Sequence, residues 1–182
     1  GMYVWRFCEL VSVFRYEGYA KRIMLRFKIS GKRRSADFFA KEMALCIQSE
    51  YKDYSFDEIC YVPISRTSYN KRGFNQSKLI AEKLSKIFGI RLNSSLKIKH
   101  NRLPQHKSKS REERLINSQY KYVCNSRLTG KTILLIDDIS TTGATLDDCT
   151  RALLYAGADK VCCATAMITS YDKDKKKIKK EK

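Results

Sequence analysis

Apolar residues recur along the chain at two alternating spacings, one typical of strands and one typical of helices. The clearest strand is predicted at residues 131–136, where four consecutive aliphatic residues suit a position buried on both faces of a sheet. The clearest helix is predicted at residues 34–51, because apolar side chains recur there at steps of three and four. Further strands are predicted at residues 11–16, 58–62, 91–99, 120–124 and 161–168. Further helices are predicted at residues 19–29, 76–88, 111–118 and 144–156, and Asn75 is the expected N-cap of the second of these.

This alternation of strands and helices predicts an α/β fold with a doubly wound, mostly parallel sheet. Ligands of such sheets bind beyond the carboxyl ends of the strands, so chemistry is expected in the loops at that edge. Neither a repeat nor a flexible linker interrupts the sequence, and residues 1–170 are therefore predicted to form one domain. Residues 99–110 are polar, basic and without periodicity, which predicts a mobile loop.

Positive charge dominates the composition, with a formal net charge of +18. Such a charge favours anionic partners, including nucleotides, phosphates and nucleic acids. The lysine-rich residues 171–182 account for only +4 of it and are expected to form a basic, disordered tail. Most of the positive charge therefore belongs to the predicted domain itself.

Other features of the composition bear on where the protein is found. No apolar run approaches the ~20 residues that span a bilayer, and the first residues lack the pattern of a signal peptide. The seven cysteines form no C-x-x-C pair and are odd in number, which argues against a disulfide framework and against a zinc ribbon. We therefore expect a cytoplasmic protein with free thiols and no membrane-spanning segment.

An acidic pair, Asp137 and Asp138, falls just past the predicted strand 131–136. Small and hydroxyl-bearing residues separate this pair from the next helix: Ser140, Thr141, Thr142, Gly143, Ala144 and Thr145. Such a turn at a helix N-terminus directs several backbone N–H groups and the positive end of the helix dipole at one anion. Carboxylates repel a phosphate but accept hydrogen bonds from sugar hydroxyls. The combination therefore predicts a site for a phosphorylated ribose.

Two other interpretations of the same residues stay open on the sequence alone. The segment could be an ordinary strand–turn–helix connection, with Thr142 as the N-cap and both aspartates solvated. It could also be an acidic metal-binding pocket, although such a pocket does not need the Thr-Thr-Gly turn. A Walker-type phosphate loop is excluded, because no Gly-Lys-Ser/Thr sequence follows.

Residues 133–145, with the sequence ILLIDDISTTGAT, resemble the ribose-phosphate signature of type I phosphoribosyltransferases. The resemblance implies that Asp137 and Asp138, as the candidate catalytic pair, hold the ribose 2′- and 3′-hydroxyls. It implies that residues 140–145 hold the 5′-phosphate. It also implies a type I phosphoribosyltransferase fold with an N-terminal hood.

Further motifs are similar to those of ComF proteins, which contain a domain of this type. Val62-Pro63 and the later sequence KRGFNQ, residues 71–76, match their VP…RGFNQ stretch. Other matching positions are Tyr16, Gly18, Lys28, Gly31, Pro104, Gln105, Glu113, Arg114 and Asn117. The sequence has no counterpart of the cysteine-rich zinc ribbon that usually precedes this domain in ComF proteins.

The resemblance implies a small-molecule ligand, 5-phosphoribosyl-1-diphosphate, with Mg²⁺ that arrives with the substrate and is not held by the protein alone. The pyrophosphate group is expected at Ser65, Arg66 and Arg72, because the loop after the predicted strand 58–62 opens at the same sheet edge. Three basic residues of the flexible loop would close over the substrate: Lys107, Lys109 and Arg111.

Two functions of different classes follow from the ComF resemblance, and a nucleotide-binding module without turnover is a third alternative. The first is transfer of the phosphoribosyl group to a nitrogen nucleophile with release of pyrophosphate. The alternative is a non-catalytic or regulatory protein that keeps the pocket and serves DNA uptake or recombination, with single-stranded DNA or DNA-handling proteins as partners. The net charge of +18 is consistent with that alternative. The sequence identifies neither the acceptor nor the oligomeric state, and it is compatible with an oligomer.

Overall fold

A five-stranded parallel sheet forms the centre of the protein in the computed structural model, which describes residues 6–30, 33–99 and 120–169. Its strands, in spatial order, are β1 (Leu10–Arg15), β7 (Lys160–Ile168), β6 (Thr132–Ser140), β2 (Glu58–Tyr61) and β3 (Arg91–Asn93). A separate antiparallel pair consists of β4 (Leu96–Ile98) and β5 (Tyr122–Cys124). The helices are α1 (Gly18–Ser30), α2 (Arg33–Glu50), α3 (Arg66–Arg72), α4 (Gln76–Phe88) and α5 (Ala144–Tyr155). The predicted α/β fold with a mostly parallel sheet is confirmed.

Strand β6 lies in the middle of the sheet and is buried on both faces. Leu134 and Ile136 point into the apolar cluster formed with α2 and α4, whereas Ile133 and Leu135 point into the cluster formed with α5. All four side chains are inaccessible to solvent. Because side chains alternate between the two faces of a strand, this run of aliphatic residues fills both cores.

The first turn of α4 is tied to the end of β2. Asn75 is the N-cap expected from the sequence, and its side-chain oxygen accepts a hydrogen bond from the backbone N–H of Lys78 (3.2 Å). Its amide nitrogen donates to the carbonyl oxygen of Val62 (2.9 Å), the residue that follows β2. The N-terminus of α4 therefore lies at the carboxyl end of the sheet, the edge where ligands bind in this class of fold.

Three local expectations differ from the structure. The strand predicted at residues 91–99 is two short strands in different sheets, separated by a turn in which the Ser95 N–H donates to the Asn93 side chain (2.8 Å). Helix α3 is missed by the apolar periodicity because none of its residues is buried. Strand β6 continues beyond its aliphatic run, so Asp137 and Asp138 lie inside the strand and not past its end.

The other predicted strands and helices within the described ranges are confirmed, with ends that shift by one or two residues. The helix expected at 111–118, the basic tail at 171–182 and all but the first residue of the loop at 99–110 lie outside the described residues. Where the structure describes the chain, it contains no helix that combines the length and the apolar character needed to cross a membrane.

Candidate functional site

The carboxyl ends of β2 and β6 lie side by side. The two strands are parallel, with Tyr61 next to Ile136, and the Val62 N–H donates to the Ile136 carbonyl oxygen (3.0 Å). The loop after β2 and the loop after β6 therefore open at one edge of the sheet. The start of α4 joins them there through the hydrogen bond from Asn75 to Val62.

Asp137 is buried at this edge, with 7% of its surface exposed. Its Oδ1 accepts hydrogen bonds from the Ser77 hydroxyl of α4 (2.8 Å) and from the backbone N–H of Asp138 (2.8 Å). Burial, and then the charge of the neighbouring Asp138, raise the pKa of Asp137 to about 8 despite the hydrogen bond from Ser77. Near neutral pH a part of the population therefore carries a proton on Asp137, which can then donate a hydrogen bond.

Asp138 meets different partners, because neighbouring side chains of a strand point to opposite faces. Its Oδ2 forms an ion pair with the ammonium group of Lys28 in α1 (3.2 Å), and its Oδ1 accepts from the Ile139 N–H (2.8 Å). Asp138 is partly exposed, unlike Asp137. Two helices, α1 and α4, thus hold the two carboxyl groups, and the interpretation with two solvated aspartates does not fit.

The segment between β6 and α5 presents hydroxyl groups to solvent. Its two threonines, Thr141 and Thr142, are exposed, as is Thr145 in the first turn of α5, whereas Ser140 is buried at the end of β6. Gly143 is the N-cap of α5 and adopts φ = +77°, a left-handed conformation that glycine reaches without strain. The interpretation that makes Thr142 the N-cap is therefore wrong. The Thr142 hydroxyl oxygen accepts only a 3.3 Å hydrogen bond from the Ala144 N–H.

A cleft lies over this segment. Its lining comes from β6, the connecting segment and the first turn of α5: Asp137, Ile139, Ser140, Thr141, Thr142, Gly143, Thr145 and Leu146. The first N–H groups of α5 have no partner within the helix and, together with the helix dipole, favour an anion here. Asp147, the acidic residue of that first turn, is engaged by the backbone N–H and guanidinium of Arg6.

The three residues expected to bind pyrophosphate all belong to α3 or its cap. Ser65 is the N-cap of α3, and its hydroxyl oxygen accepts from the Ser68 N–H (3.1 Å). Arg66 is exposed at the first position of α3. Arg72, at the last position, donates to the Gln76 side-chain oxygen (3.4 Å). The flexible-loop candidates lie outside the described residues: Lys107, Lys109 and Arg111.

Sequence reasoning missed two residues that contact the acidic pair, Ser77 and Lys28. Lys28 belongs to the matched ComF positions but was not assigned to the site by that match, and Ser77 directly follows the RGFNQ stretch. Within the described residues, two buried side-chain atoms lack a hydrogen-bond partner, Gln76 Nε2 and Thr165 Oγ1. Gln76 precedes Ser77, and Thr165 lies beside Asp137 in β7. Both residues therefore flank the site, and buried polar groups without a partner are uncommon in folded proteins.

Comparison with known proteins also indicates a phosphoribosyltransferase domain. The family described as "Phosphoribosyl transferase domain" matches residues 72–182. The competence protein ComFC of Bacillus subtilis (strain 168) is 33% identical over 149 residues, which cover 80% of this chain and 58% of that protein. ComFC of Streptococcus pneumoniae (strain ATCC BAA-255 / R6) is 33% identical over 154 residues, with coverages of 82% and 64%.

A crystal structure of adenine phosphoribosyltransferase superposes on 79% of this chain and 74% of its own, with a TM-score of 0.50 and 16% identity, which shows a shared fold. The chain spans only about three-fifths of the length of the two ComFC proteins. The similarity to ComF proteins nevertheless extends over most of the chain, as its motifs predict. Because the family match covers more than half of the sequence, the chain belongs to the phosphoribosyltransferase domain family, and its resemblance to the ComF proteins is confirmed.

Proposed function

We propose that the protein binds the magnesium complex of 5-phosphoribosyl-1-diphosphate and transfers the phosphoribosyl group to a nitrogen nucleophile, with release of pyrophosphate. One observation carries the proposal. A buried strand delivers the Asp137 carboxyl group to the same cleft as an exposed, threonine-rich helix N-terminus, and Asp138 is its neighbour in that strand. Groups that accept hydrogen bonds from sugar hydroxyls therefore lie close to groups that donate hydrogen bonds to a phosphate, as a phosphorylated sugar requires.

The two ends of the ligand would be divided between two parts of the site. The 5′-phosphate would bind at residues 140–145, where the first N–H groups of α5 and the threonine hydroxyls are available. The ribose hydroxyls would donate to Asp137 and Asp138. Asp137 Oδ1 already accepts two hydrogen bonds, so its second oxygen is the one offered to the sugar.

The pyrophosphate would bind at Ser65, Arg66 and Arg72, on the neighbouring loop and helix of the same sheet edge. Carboxylate oxygens are ligands that Mg²⁺ prefers, so Asp138 fits an outer contact to an ion that the substrate carries. Within residues 6–30, 33–99 and 120–169, no three His, Cys, Asp or Glu side chains form a metal site. When bound with the substrate, Mg²⁺ would neutralise charge on the leaving pyrophosphate.

In the reaction, the bond between ribose C1 and the pyrophosphate oxygen breaks and a bond from C1 to nitrogen forms. Positive charge develops on the sugar ring during this exchange, as in other glycosyl transfers. The Asp138 carboxylate near the ring would stabilise that charge, and both acidic residues would fix the orientation of the sugar. A covalent protein nucleophile is not required. The free thiols of the protein, four of them buried, are consistent with the reducing cytoplasm as its location.

A second candidate is a regulatory protein that keeps this pocket and acts in DNA uptake. Two observations favour it: the net charge of +18, and the name "Competence protein ComFC" carried by two relatives. Counterion release makes the binding of such a basic protein to DNA strongly dependent on salt. The two candidates differ in whether the bound ligand turns over.

Replacing both carboxyl groups, Asp137→Ala with Asp138→Ala, is expected to abolish binding of the magnesium complex of 5-phosphoribosyl-1-diphosphate. The ribose hydroxyls then lose their acceptors. Titration calorimetry on wild type and variant measures the effect. The exposed pair Asp53→Ala with Asp159→Ala removes two carboxyl groups away from the cleft and is expected to leave the affinity unchanged. Equal affinities for all three proteins would contradict the site assignment.

Gly143→Ala is expected to weaken binding of the same ligand about tenfold, because alanine in the left-handed conformation costs ~1–2 kcal/mol and displaces the loop. Gly89→Ala is the matched control: Gly89 also has positive φ (66°), but it caps the opposite end of α4 from the site. Both variants should unfold at lower temperature, and only the first should bind less tightly. A similar loss of affinity in both would show that general destabilisation is responsible.

Turnover is expected as pyrophosphate release when the protein, Mg²⁺ and 5-phosphoribosyl-1-diphosphate are mixed with a panel of nitrogen bases and amines. The double alanine variant serves as the blank. Absence of release with every acceptor, together with salt-dependent binding to single-stranded DNA, would favour the regulatory candidate over transfer.

A further inference from the structure

Lys28 connects α1 to the acidic pair. Its ammonium nitrogen lies 3.2 Å from Asp138 Oδ2, and the two side chains are 26% and 14% exposed. The ion pair is therefore shielded from bulk water and screened less by salt than a surface pair. One contact uses only one of the three N–H donors of the ammonium group.

The apolar face of α1 holds Lys28 in this place. Met24 and Phe27 are fully buried in the core on that side of the sheet. The Phe27 ring stacks on Phe39 of α2 (6.0 Å between centroids) and on Phe74 (6.1 Å). Phe74 directly precedes the Asn75 N-cap of α4. Phe27 therefore packs next to the start of α4, the helix whose Ser77 contacts Asp137. This packing holds the neighbouring Lys28 in place.

The negative charges of the acidic pair favour a cation beside Asp138. Two adjacent carboxyl groups repel each other and any phosphate that approaches the loop beyond them. A positive group against Asp138 offsets that repulsion, and carboxylate oxygens accept hydrogen bonds from sugar hydroxyls. It also fixes the carboxylate plane, because Oδ1 and Oδ2 are each held by a separate donor.

We propose that Lys28 is a positioning residue of the ribose site: it holds the Asp138 carboxylate so that its free acceptor positions face the sugar hydroxyls. This inference rests on the proposed function. Lys28 serves the ribose, and the 5′-phosphate is bound without it by the loop and α5. A simple stabilising ion pair would instead change folding stability and leave ligand preference unchanged.

Lys28→Met is expected to weaken binding of magnesium 5-phosphoribosyl-1-diphosphate about ten- to a hundredfold in titration calorimetry, the range for a lost hydrogen bond to a charged group. Lys28→Arg keeps the cation and should remain within about threefold of wild type. Lys21→Met is the matched control on the same helix, because Lys21 is exposed and its ammonium lies over the Tyr16 ring. Thermal unfolding of each variant establishes that it is folded, and Lys28→Gln replaces Lys28→Met if the latter is not.

A second titration series, with ribose 5-phosphate and with inorganic phosphate, separates positioning from general charge. Lys28→Met should weaken ribose 5-phosphate and leave inorganic phosphate at the level of Lys21→Met. Three results would overturn the inference while the proposed function stands. They are equal losses of affinity for both ligands, equal losses of affinity in Lys28→Met and Lys21→Met, and unchanged or tighter binding by Lys28→Met. Wild type that binds no 5-phosphoribosyl-1-diphosphate would overturn the proposed function and this inference together.

Discussion

Strand β6 has solvent on neither face, and this burial decides where the protein can place polar chemistry. Apolar side chains from Ile133 to Ile136 fill both cores, so charged groups on the strand are tolerated only where it emerges at the carboxyl edge. The acidic pair comes at that point, and the chain turns into α5 directly afterwards. The burial of one strand thereby fixes the carboxyl groups and the anion-binding helix N-terminus relative to each other.

A carboxyl pair beside an anion site is electrostatically costly, and its surroundings reduce the cost in two ways. Asp137 is withdrawn from water, and its raised pKa lets it carry a proton near neutral pH. Asp138 forms an ion pair with the Lys28 ammonium group, which offsets its negative charge. The two neighbours consequently differ in their surroundings although they are the same residue type: Asp137 is buried and able to donate, and Asp138 is ion-paired with Lys28. Sugar hydroxyls, which both donate and accept, suit such a pair.

Local signals were enough to predict much of this arrangement from the sequence. Four aliphatic residues predict a strand buried on both faces, and Asn75 predicts the start of α4. The roles of Ser77 and Lys28 were not predictable, because their contacts join residues 60 and 110 positions apart and leave no local pattern. Helix α3 escaped detection for a different reason: periodicity reports burial, and α3 buries none of its residues.

A crystal structure of the protein grown with Mg²⁺ and 5-phosphoribosyl-1-diphosphate tests the proposed ribose-phosphate site most directly. We predict the 5′-phosphate within hydrogen-bonding distance of the backbone N–H groups of residues 141–145, and the ribose hydroxyls on Asp137 and Asp138. Density for the ligand in the reverse orientation, with pyrophosphate in that loop, or at a place remote from the acidic pair would contradict it.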